Sequence, residues 1–368
     1  MKLLLLAGEE SGVLYAEQIA KAVRGKDPSA EIRGYGDYGF RTGDLAVMGL
    51  GQVLKRLFYF LRVKRTMERA IDEWKPDAVC TVDYPGLNLK LAAYAKKRGI
   101  RAVHVVCPQV WAWKKGRIPK IEASLDKLCC FFPFEPALFR TGFAEFVGHP
   151  LVDAFASEVE KRGGGGQRKE KILAVLPGSR IGEIEKHLPV LLEVVKRLQQ
   201  EMPDLKVVIP AANDKAYEKI ESILDCGASG TPRPTVVITH DEARAALNAA
   251  DAAIVASGTA TLEAALAGCP TVLVYRVGWL FAFLARRFIK GIRHIGLANI
   301  IAERAGTPCP MPELLQEDFT AENILQYVLQ WLTDPVANAV ARRSLDDTMA
   351  LLKSDGGAIG RIVTCLGV

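Results

Sequence analysis

Short, almost wholly apolar runs alternate along the chain with longer stretches in which apolar residues recur every three or four positions. The runs are Leu3–Ala7, Ala78–Val82, Ala102–Val106 and Leu128–Phe132, with amphipathic segments at Ser11–Val23 and Leu87–Lys97. A run that is apolar at every position, not every second one, predicts a strand buried on both faces. Helices between such strands predict a parallel sheet covered on each side. The pattern then restarts with Ile172–Leu176, a helix near Glu183–Gln200, Lys206–Ile209, Val236–Thr239, Ala252–Val255, a helix from about Thr259, and Thr271–Tyr275. Two Rossmann-like α/β units in tandem are therefore expected.

Between the two series stand four glycines, Gly163 to Gly166, followed by Gln167 and flanked by Arg162 and Arg168. Glycine loses the most backbone freedom on ordering, so such a run predicts a linker. The expected organisation is a first unit over 1–162, a linker over 163–167 and a second unit over 168–335. The helical pattern of 336–368 is expected to cross back to the first unit.

Length agrees with this division, because 368 residues exceed what one hydrophobic core ordinarily sustains. With 49% hydrophobic and 24% charged residues the chain is a folded globular protein and not a disordered one. The eight cysteines show no paired framework or CxxC spacing and most lie in apolar runs, which predicts reduced, buried thiols in a cytoplasmic protein. Met1–Ala7 is too short an apolar stretch for a signal peptide or a membrane span. The net charge of +6 is modest, but basic residues cluster at Lys55–Arg65 and Arg286–Arg293, which points to phosphates or anionic surfaces.

Ligands of open parallel sheets lie beyond the carboxyl ends of the strands, so polar residues there are candidates for chemistry. The loop Ala7-Gly8-Glu9-Glu10-Ser11-Gly12 opens a helix, and Ser11 and Gly12 are either part of an anion site or of a plain turn. Asp83, at the end of Ala78–Val82, is the candidate general base; the alternative is a cap on the next helix. His104 reads as a core histidine, while His149 ends a short strand and could reach a cleft between the units. Trp111 and Trp113 offer indole faces to a sugar or fill a core.

In the second series, Gly178, Ser179 and Arg180 follow a strand. The guanidinium can make two-pronged hydrogen bonds to a diphosphate, or else pair on the surface with Glu183 or Glu185. Ser257, Gly258 and Thr259 lead into a helix whose free amides can hold a phosphate without a metal; Glu263 either bridges ribose hydroxyls or is an acid favoured by the helix dipole. No HExxH, nucleophile elbow or P-loop is present, and no nucleic-acid reading module accompanies the basic clusters, so neither metal nor cofactor nor nucleic acid is implied.

Leu50, Val53, Leu54, Leu57, Phe58 and Leu61 recur at helical spacing within Leu45–Arg65, where Phe60 and Val63 widen the apolar face. Lys55, Arg56, Arg62, Lys64 and Arg65 supply a basic one. Such a helix can lie in a bilayer interface, with Val53, Leu57, Phe58 and Leu61 as its membrane contacts, or pack on the core. Trp279–Lys290 has similar character.

Taken in order, several blocks resemble the lipid-A-disaccharide synthases over roughly residues 3 to 320. In the first half these are Ala46-Val47-Met48-Gly49, Val82-Asp83-Tyr84-Pro85 with Asn88, Pro108-Gln109-Val110-Trp111-Ala112-Trp113, Phe132-Pro133-Phe134-Glu135 and Val147-Gly148-His149-Pro150. In the second half they are Leu176-Pro177-Gly178-Ser179-Arg180, Ala256-Ser257-Gly258-Thr259-Ala260-Thr261-Leu262-Glu263, Tyr275-Arg276, Asn299-Ile300-Ile301-Ala302 and Pro312-Glu313-Leu314-Leu315-Gln316. The resemblance implies the GT-B fold, two lobes facing across a cleft, with UDP-diacylglucosamine as donor and diacylglucosamine 1-phosphate as acceptor. It implies an inverting, metal-independent transfer that makes a β-1,6 linkage at the inner face of the cytoplasmic membrane. Asp83 then matches the family's base, Arg180 its essential arginine, and the helix from Thr259, with Glu263, its nucleotide site; Asn299 and Gln316 are carried over to the same donor site. Val13, the Gly34–Phe40 loop, Gly86 and Ala298 depart from the family pattern. The rival readings are another UDP-sugar transferase or epimerase of this fold and a catalytically silent UDP-binding membrane protein. A homodimer is left open.

Overall fold

The computed structural model describes residues 1–8, 10–40, 53–112, 115–160, 170–226, 235–277 and 293–368; the side chains of 10–11, 53–57, 156–160 and 226 are outside that description. The first sheet joins β1 (Lys2–Ala7), β2 (Glu31–Arg33), β3 (Ala78–Val82), β4 (Arg101–Val105), β5 (Lys127–Cys130) and β6 (Ala144–Phe146) in the order β2-β1-β3-β4-β5-β6. Every pairing in it is parallel. Helices α1 (Glu10–Lys26), α2 (Val53–Trp74), α3 (Pro85–Lys96) and α4 (Ile118–Ser124) connect its strands, and α5 (Pro150–Glu160) follows.

The unbroken apolar run of β1 is explained by burial on both faces. Leu3, Leu5 and Ala7 pack with Ile19 and Val23 of α1, whereas Leu4 and Leu6 pack with Met67 and Ile71 of α2 and Leu91 of α3. Each leucine contributes about 1.5–3 kcal/mol when fully buried, so a polar residue at any of Leu3–Leu6 would be strongly destabilising, whereas Lys2 at the exposed start of the strand stays in solvent.

The second sheet joins β7 (Ile172–Leu176), β8 (Lys206–Ala211), β9 (Val236–His240), β10 (Ala252–Ala256), β11 (Thr271–Tyr275) and β12 (Glu313–Leu315) in the order β12-β11-β10-β7-β8-β9, again all parallel. Its helices are α6 (Ile181–Glu201), α7 (Asp214–Cys226), α8 (Ala243–Ala249), α9 (Thr259–Leu266), α10 (Leu297–Ala305), α11 (Ala321–Thr333) and α12 (Pro335–Ala350), and α13 (Ala358–Leu366) ends the chain. In each sheet the strand order reverses once, between β1 and β3 and between β7 and β10. The loops at such a point leave in opposite directions and open a crevice at the carboxyl edge.

The chain divides into two compact units, Met1–Asp153 with Leu352–Val368, and Ala154–Leu351. The division falls before the glycine run expected as the linker, and that run lies outside the described residues. Of the 336–368 segment, α12 stays in the second unit, where Arg342 donates to the Gly268 and Ala250 carbonyls at 2.8 and 3.0 Å. Only the part from Leu352 onward joins the first unit: Arg101 donates to the Cys365 carbonyl at 2.8 and 3.0 Å, and Arg361 to Glu145 at 2.8 Å. Cys80, Cys107, Cys129, Cys130, Cys269 and Cys365 are buried thiols in no disulfide. Cys309 is free but exposed, because it falls in the turn after α10 and not in a strand.

Candidate active site

At the reversal of the first sheet, Asp83 and Tyr84 both adopt left-handed backbone, with φ of 51° and 50°. Non-glycine residues held there cost about 1–3 kcal/mol each and persist only where their surroundings over-determine them. Asn88 does so here. It is fully buried, and its amide donates to the carbonyls of Asp83 at 2.8 Å, Val82 at 3.1 Å and Leu6 at 3.3 Å, while its oxygen accepts the Tyr35 hydroxyl at 2.7 Å. The Asp83 amide donates to the Val105 carbonyl at 2.9 Å. Gly8 completes the frame, since a Cβ there would lie 2.5 Å from that of Tyr84.

The turn delivers the Asp83 carboxylate half-buried at the carboxyl edge. Burial pushes its pKa above the usual carboxylate value, partly offset by the Tyr84 amide that donates to Oδ1 at 2.8 Å. Asp83 does not cap α3, whose cap position is Tyr84, with no side-chain cap bond among the described residues. Val106, just past β4, adds a third left-handed residue with φ of 76°, an outlier for a β-branched side chain.

Other first-unit candidates turn inward. Trp111, expected to offer a sugar platform, is buried; its Nε1 donates to Glu135 at 3.2 Å and its ring meets Phe134 edge-on. Trp113 lies outside the described residues. His149, expected to reach a cleft, is buried against Phe131, accepts the Leu151 amide at Nδ1 and is pushed down to about 4 by burial, so it stays neutral. His104 is the core histidine expected, 2.7 Å from the Thr81 hydroxyl and pushed down to about 3. Gly12 is buried, and a Cβ there would make only ordinary contacts; the Ser11 side chain is outside the description. Val13 and the Gly34–Asp37 part of the altered loop line one cavity of about 250 Å³ with Glu17, so two departures from the family pattern share one place.

Sequence reading also missed a buried trio. Cys107, Cys130 and Glu135 bring their donor atoms within 4.8 Å of one another. Burial pushes Glu135 up to about 8, and the Cys130 thiol is raised by its hydrogen bond with Cys107 and by burial. That hydrogen bond lowers the Cys107 thiol, but burial and Glu135 together outweigh it, so this thiol too is raised. The carboxyl already accepts Trp111 and the Phe132 amide, so the trio is a set of protonated hydrogen-bonding groups that brace the Phe132–Glu135 turn.

At the reversal of the second sheet the arrangement is looser. Gly178 has φ of 119°, and a Cβ there would sit 2.7 Å from Glu183 Oε2, so the loop after β7 requires glycine twice over. Arg180 pairs with Glu183 at 2.9 Å, yet its side chain is 80% exposed. Exposed pairs are worth about 0–1 kcal/mol, so the guanidinium can exchange this partner for an anion. Ser179 is exposed beside it. Across the reversal, Gly258 and Thr259 are exposed at the start of α9, Ser257 donates its amide to the Val274 carbonyl at 3.1 Å, and Glu263, one turn in, lies 3.4 Å from Arg244.

Asn299 and Gln316, expected to touch the nucleotide, are braces. The buried Asn299 amide donates to the Met311 carbonyl and Glu313 at 2.7 and 2.8 Å and accepts the Met311 amide at 3.0 Å, which leaves no hydrogen for a ligand. Gln316 has φ of 52°, and its amide, oriented by hydrogen bonding, pairs with both backbone groups of Val277 at 3.2 and 3.3 Å. His187 was missed: buried under this loop, it accepts the Arg276 amide at Nε2, which assigns its Nδ1 proton to the Pro177 carbonyl at 2.8 Å. It ties the loop after β7 to that after β11.

The amphipathic helix expected over Leu45–Arg65 is observed as α2, with residues 41–52 outside the described set. Val63, Met67, Ile71 and Trp74 form its core stripe, and Phe60 stacks on Tyr84 with ring centroids 6.3 Å apart. Phe60 and Val63 therefore do not widen an exposed face. Phe58 and Leu61 remain 71% and 38% exposed, beside exposed Arg62, Arg65 and Arg69. The side chains of Val53 and Leu57, and the stretch Trp279–Lys290, lie outside the description. No described helix is long and apolar enough to cross a membrane.

Two parallel six-stranded α/β units, each with polar candidate residues at its strand reversal, define the GT-B architecture. The UDP-GlcNAc 2-epimerase of Neisseria meningitidis, solved with UDP-GlcNAc bound, superposes with a TM-score of 0.66 over 100% of this chain and 99% of its own, at 12% identity. Within that class, a family model described as lipid-A-disaccharide synthetase matches residues 3–353. The lipid-A-disaccharide synthase of Chromohalobacter salexigens is 37% identical over 351 residues, and lipid-A-disaccharide synthase 1 of Legionella pneumophila 35% over 350; each match covers 91% of this chain and 88% of the relative. The chain belongs to the lipid-A-disaccharide synthetase family, and its function is the glycosyl transfer that makes the lipid A disaccharide.

Proposed function

We propose that the chain transfers 2,3-diacylglucosamine from UDP to the 6-hydroxyl of 2,3-diacylglucosamine 1-phosphate, with inversion, at the inner face of the cytoplasmic membrane. The observation that carries this reading is the Asp83 carboxylate, held in left-handed backbone at a strand reversal with its pKa raised by burial. A base works best with a pKa lifted toward the operating pH. The acceptor oxygen attacks the anomeric carbon, its proton passes to Asp83, and the bond to the diphosphate breaks with its electron pair leaving on UDP. Arg180 and the amides at the start of α9 answer the charge on UDP, so the step asks for no divalent metal. Phe58, Leu61 and the arginines beside them suit an anionic membrane surface.

Disaccharide formation in mixed micelles, in the presence of a chelator, tests all of this. Product from the intact protein and a loss of about hundredfold or more in Asp83→Asn is the expected result. Tight UDP binding with no product would overturn the assignment of substrates, and a requirement for added magnesium would overturn the metal-free step.

A further inference from the structure

In the first unit, α2 and α4 both pack on α3, and the three helices enclose a cavity of about 320 Å³. Its apolar lining includes Leu89 and Ile121, and its wall includes Pro85 and Gly86, the first turn of the helix that follows Asp83. Five cations, Lys64, Lys90, Lys97, Arg117 and Lys120, line it against a single carboxylate, Glu68, which is paired with Lys64. Lys90, Lys97, Arg117 and Lys120 have no carboxylate partner among the described residues. A cation left unpaired at a concave wall strengthens the local field for an anion, and the α3 amino terminus adds its dipole with the same sign. The cavity also shares α2 with exposed Phe58 and Leu61.

We propose that this cavity binds a phosphate borne on an acylated molecule, the charge on the lysines and Arg117 and the start of the chain on Leu89 and Ile121. The site rests on the reading above only for which molecule delivers the phosphate: the acceptor's 1-phosphate or an anionic phospholipid headgroup.

The first measurement is titration of the intact protein with dodecyl phosphate below its micelle concentration, with dodecyl maltoside as the neutral control. Lys97→Gln with Lys120→Gln should weaken dodecyl phosphate binding about tenfold or more, while the arginine pair at the same positions keeps it. Gly86→Asp places a carboxylate on the wall where a Cβ meets nothing within 4 Å and where the helix dipole favours an acid, so it should weaken binding without unfolding the chain. Equal affinity for the phosphate and the maltoside, or variants that bind like the parent, would overturn the site. Because this readout needs no product, it stands apart from the disaccharide assay. The source follows from two arms: a raised acceptor KM with kcat and donor KM unchanged assigns the acceptor, and lost sedimentation with phosphatidylglycerol but not phosphatidylcholine vesicles assigns the headgroup.

Discussion

Asp83 and Arg180 occupy corresponding places, each just past a strand at which its sheet reverses order, and they are held in opposite ways. Asp83 is half-buried on two consecutive left-handed residues clamped by Asn88, whereas Arg180 is 80% exposed with one exchangeable partner, Glu183. A group that takes a proton gains from being fixed and partly desolvated, because both lift its basicity and shorten the search for geometry. A guanidinium is charged either way, so what an exposed, singly paired arginine gains is the freedom to exchange its partner for a diphosphate at little cost.

The sharpest way to break this comparison is Arg180→Ala. Loss of the charge partner proposed for the leaving group should lower kcat about 100- to 1,000-fold, with Arg180→Lys restoring part of it, in steady-state assays of UDP release. A change confined to donor KM would mean that Arg180 binds the ground state only. Glu135 comes next, as a buried first-unit carboxyl bonded to Trp111 and the Phe132 amide. Its folded pKa of about 8 lies above the ordinary 4.5, so the native carboxyl keeps a proton that the unfolded chain has lost. Stability should therefore fall as pH rises from about 4.5 to about 8, by on the order of 4 kcal/mol, and level off above. Urea unfolding near pH 5 and near pH 9 should show that fall in the parent and not in Glu135→Gln.

Asn88→Ala leaves the Asp83, Val82 and Leu6 carbonyls without this donor. It should cost about 2 kcal/mol in urea unfolding and lower kcat while leaving donor KM unchanged. An unchanged kcat would show that the Asp83 turn holds itself. The smallest effect belongs to Glu183→Gln, where thermal unfolding should register less than about 1 kcal/mol, because the arginine of the pair is solvent-exposed.

How much of this was legible beforehand differs by residue. The edge positions of Asp83, Arg180 and Thr259 were legible because each follows an apolar run, and a parallel sheet places the residue after a strand at its carboxyl edge. Trp111, Asn299 and Gln316 belong to equally distinctive sequence blocks but serve as braces, since the blocks say nothing of which way a side chain turns. His187 gave only a weak signal, a single polar residue on the inner stripe of α6.

The periodicity of apolar residues by itself determined the two parallel sheets and the crossing helices between them, because strand and helix repeats are local and burial on both faces keeps β1, β3 and β10 almost wholly apolar. Only the tertiary structure decided that Asn88, beneath the Asp83 turn, is itself fixed by Leu6 of β1 and by Tyr35, that α2 turns Val63 inward and Phe58 outward, and that cations from three helices share one cavity. Those outcomes depend on contacts between segments distant in the chain, whose geometry no local repeat encodes.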